Sequence, residues 1–187
     1  ILYPTDLADL HRQLRKLREA GKDSIAQPHH VGYRKGTRGI DWDSFDPEFA
    51  PLVEMISMHG CSEGSESARP FLHSMGPSDW ESTIACGLKR GHVFGFTGGT
   101  DHHSGHPGSY GHGRTGLWAK SRTREAIWEA LYERRTYALT GDRIDLKFSV
   151  NGAPMGDGWF FKIRIGNPSE IDDLMDEAAY QEFVKGL

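Results

Sequence analysis

The chain has 187 residues, enough for one domain with a real core and a small appendage, and too few for a complete (β/α)8 barrel, which takes about 250. With 22 Lys+Arg against 26 Asp+Glu the net charge is −4, so the composition calls for neither nucleic acid nor an anionic membrane as partner. Cys61 and Cys86 make no disulfide framework and lack zinc-ribbon spacing, and no apolar run approaches the ~18 residues of a membrane span.

From the N-terminus, Leu7, Leu10, Leu14 and Leu17 recur at helical spacing, with Thr5 as cap, Asp6 in the first turn and Gly21 as stop. Ser24 to Gln27 is a short strand candidate that runs into Pro28-His29-His30, and Val31 to Pro47 is loop-like. Leu52 to Met58 is a second strand candidate, ending at His59-Gly60, and Cys61 to Met75 is small and polar. Ser78 and Glu81 form a capping box ahead of a helical stripe of Trp80, Ile84 and Leu88 that Gly91 closes. Val93 to Thr97 is a third strand candidate and Leu117 to Ala119 a fourth. Thr123 to Arg135 is a helix with Ala126, Ile127, Ala130 and Leu131 on its inner face.

The period then changes. Ile144, Leu146, Phe148 and Val150 alternate with polar residues, Asn151-Gly152 signals a hairpin, and Trp159, Phe161, Ile163 and Ile165 alternate again. Ser169 to Leu187 reads as an amphipathic helix. The expectation is an α/β unit with parallel strands over residues 1–140, followed by an antiparallel β-hairpin appendage and terminal helix over 141–187.

Histidine is the unusual residue. Nine of the ten fall between His29 and His112, less than half the chain. Each main strand candidate ends in side chains able to bind metal: His29-His30, then His59, then Asp101-His102-His103. The carboxyl ends of parallel strands are where α/β folds bind ligands, so convergence there would build one site. Imidazole and carboxylate suit Zn, Mn or Fe. If the chain stays extended, Asp101 and His103 point the same way and hold one ion or bridge two. His73, His92, His106 and His112 lack that placement. Arg114, after the Gly/His-rich loop, is a candidate for binding an anionic group. Of Glu54, Glu63 and Glu66 around the second strand end, Glu63 is the best placed as an extra ligand or proton carrier. No Walker A or His-Glu-x-x-His motif occurs.

Ala26-Gln27-Pro28-His29-His30, Ser57-Met58-His59-Gly60 with Glu63, and Gly99-Thr100-Asp101-His102-His103 resemble the later motifs of the PHP (polymerase and histidinol phosphatase) domain. Arg134 to Ile144 and Val150 to Gly156 look like the DUF3604 branch of PHP-like proteins, a family of unknown function. The resemblance spans roughly His29 to Gly156 and implies a distorted (β/α)7 barrel that binds divalent ions (Zn, Mn, Fe or Mg) and hydrolyses phosphoesters. By the motif match, Asp101 and His103 take the places of the final Asp-x-His ligands, His59 that of the His after the preceding strand, and His29 or His30 that of the His before it. The early His-x-His motif of that family does not occur, since only His11 precedes His29. Either the chain is a fragment without the first barrel strands, or residues missing between sequence neighbours hold those ligands, or the domain is a degenerate binding module.

The function expected is metal-dependent hydrolysis of a phosphoester or related ester on a small anionic substrate. The alternatives are a non-catalytic metal- or carbohydrate-binding module derived from such a barrel and, third, an amidohydrolase-like enzyme.

Overall fold

The computed structural model describes residues 2–65, 78–106, 112–140, 144 and 146. The chain divides into two compact units, Ile1–Asp142 and Arg143–Leu187, and every element given below lies in the first. The hairpin expected from Ile144 onward and the helix expected from Ser169 lie outside the described residues, Ile144 and Leu146 apart.

Helix α1 is Leu7–Glu19. Its cap is Asp6 rather than Thr5: Asp6 Oδ1 accepts from the Asp9 N–H at 2.7 Å, while the Thr5 N–H donates to Asp9 Oδ2 at 3.0 Å. The two carboxylates satisfy orphan amides in both directions, an arrangement a single hydroxyl cap does not supply. Gly21, at φ +73°, ends the helix as expected. Arg15 and Arg18 lie over the Phe49 ring at 5.0 and 5.1 Å and reach Glu48 at 2.9 and 3.0 Å, while Arg18 also donates to the Tyr132 hydroxyl at 3.0 Å.

The central strand is β1, Leu52–Ser57. It turns through Met58 and His59 into β2, Gly60–Cys61, which pairs with it antiparallel. On its other side β3, Gly95–Gly98, runs parallel, with Leu52 opposite Gly95 and Glu54 opposite Thr97. The sheet order is β2-β1-β3. Residues 24–27 do not form a named strand, yet the segment follows β1: the Ala26 N–H donates to Phe49 O at 2.8 Å and the Glu54 N–H to Pro28 O at 3.2 Å. Gln27 Nε2 also donates to Thr97 Oγ1 at 2.9 Å. Pro28 cannot donate, which is one reason no regular ladder forms there.

The second helix is shorter than its apolar spacing suggests. Asp79 caps a 3-10 turn over Trp80–Ser82, and Thr83 then caps α2, Ile84–Lys89. Two caps within five residues break the stripe, so Ile84 is buried while Trp80 and Leu88 are about half exposed. Strands β4, Arg114–Leu117, and β5, Thr136–Leu139, pair antiparallel on either side of α3, Arg124–Tyr132. Thr115 Oγ1 ties β4 to β3 by donating to Gly98 O at 2.7 Å. Within α3, Ala126 and Ala130 are buried, whereas Ile127 is 37% exposed.

The core gathers Val31, Trp42, Val53, Ile84, Cys86 and Phe94. Trp42 is fully buried, donates from Nε1 to Thr83 O at 3.0 Å, and stacks on Phe94 at 5.2 Å. It lies so close to α2 that a Cβ on Gly87 would meet its ring at 2.5–2.7 Å. Gly87→Ala is therefore expected to destabilise the fold by about 1–3 kcal/mol through overpacking, read as a lower urea midpoint with the slope unchanged.

Candidate metal centre

Alternation along β1 turns Val53 and Met55 toward the core and sets Leu52, Glu54 and Ile56 on the opposite face. Glu54 thus lies on a central strand, only 8% exposed, where a lone carboxylate is costly. His29 compensates: its Nδ1 lies 3.0 Å from Glu54 Oε2, in hydrogen-bond geometry. Gly99, beyond β3, makes room for this pair, since a Cβ there would stand 3.2 Å from Glu54 Oε2.

The side chains expected at three strand ends converge on one atom. His59 Nε2 is 2.7 Å from Asp101 Oδ2, His30 Nε2 3.4 Å and His29 Nε2 3.7 Å. The His29 and His30 rings lie 3.6 Å apart between centroids, and the His30 and His59 rings 5.1 Å. His59 is buried in the two-residue turn between β1 and β2, where its N–H donates to Ser57 Oγ at 3.1 Å.

Two of these residues adopt the left-handed backbone that side chains avoid: His30 at φ +58° and Asp101 at φ +49°. Such a conformation costs roughly 1–2 kcal/mol per residue. Asp101 Oδ2 and His30 Nδ1 are buried and, among the described residues, have no hydrogen-bond partner. Three imidazoles therefore surround a carboxylate oxygen without any of them forming an aligned hydrogen bond to it. Ligand atoms around one tetrahedral ion with bonds of 2.0–2.1 Å sit about 3.4 Å apart, close to two of the three separations. His29, His30 and Asp101 each offer a ligand atom, all within 4.8 Å of one another. The donor set fits a divalent cation.

The two adjacent histidines are tuned in opposite directions. The hydrogen bond to Glu54 raises the pKa of His29 against its partial burial. Burial, reinforced by the charge of His29, lowers that of His30 and favours its neutral, ligand-competent form.

Not every expected residue joins the group. The chain does not stay extended through Asp101, and His103 lies exposed in the turn that follows, outside the set of His29, His30 and Asp101. Glu63 is exposed in the loop after β2, where its carbonyl accepts from the Ala85 N–H at 2.9 Å. The carboxylate at the site is instead Glu54, which the strand's period-two pattern would have placed there. Arg114 is half-buried at the first position of β4, its backbone packed on Gly98. His106 and His112 lie near His102, with ring centroids 5.6 and 6.0 Å away. Among the described residues no helix is long and apolar enough to cross a membrane.

Residues 109–153 match the family model DUF3604, a protein of unknown function. An uncharacterised protein of Chlamydia trachomatis serovar D is 35% identical over 63% of this chain and 21% of its own length. One from Chlamydia pneumoniae is 33% identical over 72% of this chain and 23% of its own length. The chain is similar to the DUF3604 family. It spans about a fifth of the length of these curated relatives. Residues 145–187 match a different model, glycine cleavage H-protein. The glycine cleavage system H protein of Parvibaculum lavamentivorans is 48% identical over 26% of this chain and 45% of its own length. No solved structure matches.

If the first compact unit holds an ion, Asp101→Ala loses it, because the oxygen on which the three imidazoles converge is gone. Glu54→Gln keeps the ligands but loosens His29, with an expected loss of about 10–100-fold in affinity. Elemental analysis of the purified full chain, with Zn²⁺ or Mn²⁺ titration, checks both. Equal metal content in Asp101→Ala and the parent would refute the site.

Proposed function

We propose that this chain carries the metal centre of a metal-dependent hydrolase acting on a phosphoester or related ester. The observation that carries the reading is the convergence of His29, His30 and His59 on the buried Asp101 Oδ2, with two of the four residues in left-handed backbone. These four residues would hold a divalent ion, Zn, Mn, Fe or Mg. When bound, such an ion lowers the pKa of a coordinated water toward about 7 and polarises an ester oxygen.

The chain's own residues do the rest. Glu54 fixes the His29 tautomer with the proton on Nδ1, leaving Nε2 as the lone-pair donor. Burial favours the neutral form of the His30 imidazole. The turn that holds His59 is fastened by its own backbone bond to Ser57, so that ligand is pre-positioned.

The fold reading that accompanies this is a portion of a PHP-like (β/α)7 barrel. It is supported by parallel pairing of β1 with β3, by the segment ending at His29-His30 beside β1, and by the position of the ligands at the carboxyl edge. The reading is confined to the first compact unit; the likeness of residues 145–187 to glycine cleavage H-protein concerns the second. A non-catalytic metal- or carbohydrate-binding module remains the rival, because the chain covers so little of its relatives' length.

Turnover separates the two. The full chain loaded with Mn²⁺ or Zn²⁺ is expected to hydrolyse p-nitrophenyl phosphate or bis-p-nitrophenyl phosphate, and Asp101→Ala to lose that activity about 100-fold, two tenfold steps in barrier. Stoichiometric metal without turnover on either substrate or on p-nitrophenyl acetate would favour the binding module.

A further inference from the structure

His30 faces Asp101 with no hydrogen bond to fix its ring. The neighbouring His29 is oriented by Glu54, whose Oε2 lies 3.0 Å from its Nδ1. His30 presents Nε2 to Asp101 Oδ2 at 3.4 Å, but its buried Nδ1 has no hydrogen-bond partner among the described residues. A ligating histidine ordinarily donates from its second ring nitrogen to an acceptor, which sets the direction of the ring. For His30 that constraint has to come from packing.

The surroundings of the ring are aromatic. Between centroids, His29 lies 3.6 Å away, His59 5.1 Å and Tyr33 5.8 Å. His29 and His59 themselves face Asp101, so neither is a wall independent of the site. Tyr33 is outside the cluster, and its ring stands edge-on to His30 at 70°, a favoured arrangement for a ring pair.

Tyr33 is also firmly held. It is fully buried, yet it is not a member of the core around Trp42. Its backbone bridges antiparallel to Ser78, and the preceding Gly32 O accepts from the Asp79 N–H at 3.1 Å. Val31, which does belong to the core, accepts at its carbonyl from the Ile40 N–H at 3.1 Å. Gly39 passes so close to the Tyr33 carbonyl that a Cβ there has no space. The Tyr33 N–H turns back to His30 O at 3.4 Å, so the phenol ring returns to the imidazole three residues before it.

We propose that Tyr33 is the positioning residue of His30: its edge-on ring holds the imidazole at the angle where Nε2 faces Asp101, so that this ligand is preformed before an ion arrives. The role rests on the metal-centre reading above. Tyr33 acts through His30 alone, and its ring rather than its hydroxyl does the work.

The test titrates Co²⁺ into the full chain and follows its visible absorption, which reports coordination geometry as well as affinity. All variants are compared at a temperature where circular dichroism shows them folded. Tyr33→Phe keeps the ring and is expected to match the parent within about twofold, whereas Tyr33→Leu is expected to bind about 10–100-fold more weakly, the span for residues that orient a ligand. If Tyr33→Leu does not fold, Tyr33→Met, flexible and without a flat face, is expected to show the same loss. Gly87→Ala strains the core at Trp42 instead and is expected to keep the parent's affinity and absorption bands. Parental affinity in Tyr33→Leu or Tyr33→Met overturns the role, and so does an equal loss in Gly87→Ala. A loss in Tyr33→Phe as large as in Tyr33→Leu assigns the effect to the hydroxyl and overturns the ring's part. A parent chain that binds no Co²⁺ overturns the metal-centre reading itself, and the role with it.

Discussion

The carboxylate oxygen Asp101 Oδ2 is the point around which the carboxyl edge of the sheet is arranged. Three imidazoles reach it from two other chain segments, two residues accept left-handed backbone to be there, and a glycine beyond β3 leaves space for Glu54, the partner of His29. Left to itself, a buried anion among poorly aligned rings is an unfavourable arrangement. A cation would resolve it, because it would convert lone pairs directed at one region from a liability into a coordination shell. The same physics explains the Glu54–His29 pair: a carboxylate on a central strand is tolerable when it orients a ligand.

Convergence at that edge depends on the parallel register of β1 with β3. Opposing Glu54 to Thr97 brings the residues beyond both strands to the same level, so the turn at His59 and the turn at Asp101 meet. The segment through Gln27 and Pro28 is held to the same pair by the Glu54–Pro28 backbone bond and the Gln27–Thr97 bond, and it delivers His29 and His30 to that level. Trp42 and Phe94 fill the opposite face, so the site is supported by packed core rather than by loops alone.

Much of this was legible in the sequence because its signals were local. The Leu7–Leu17 stripe with Gly21, and the Thr123 cap with Ala126 and Ala130, marked α1 and α3. His29, His30, His59 and Asp101 stood out because each followed an apolar run that ended. Where two local signals competed, the reading failed. Asp79 and Thr83 both cap, and the second truncates the helix that the Trp80–Leu88 spacing advertises. Glu63 stands out in the sequence because loop carboxylates look available, although period-two alternation sets Glu54 opposite the core-facing Val53 and Met55. His103 was paired with Asp101 on the assumption of extended chain, and the positive φ at Asp101 is not visible in a residue that any strand could contain.

The C-terminal part shows a different limit. Alternation from Ile144 predicts an antiparallel appendage, and similarity to DUF3604 runs to residue 153. Yet residues 145–187 are also similar to glycine cleavage H-protein, and the boundary between compact units falls at Asp142. Alternating hydrophobicity reports that a strand has two faces, and it is shared by every half-buried sheet. It carries no information about which family supplied the strand, so a change of ancestry in mid-chain leaves no trace in periodicity. The His/Asp cluster lies in the first unit, and each of its residues precedes residue 102. Its chemistry can therefore be argued from β1, β3 and the segment at His29-His30 without reference to what the second unit contributes.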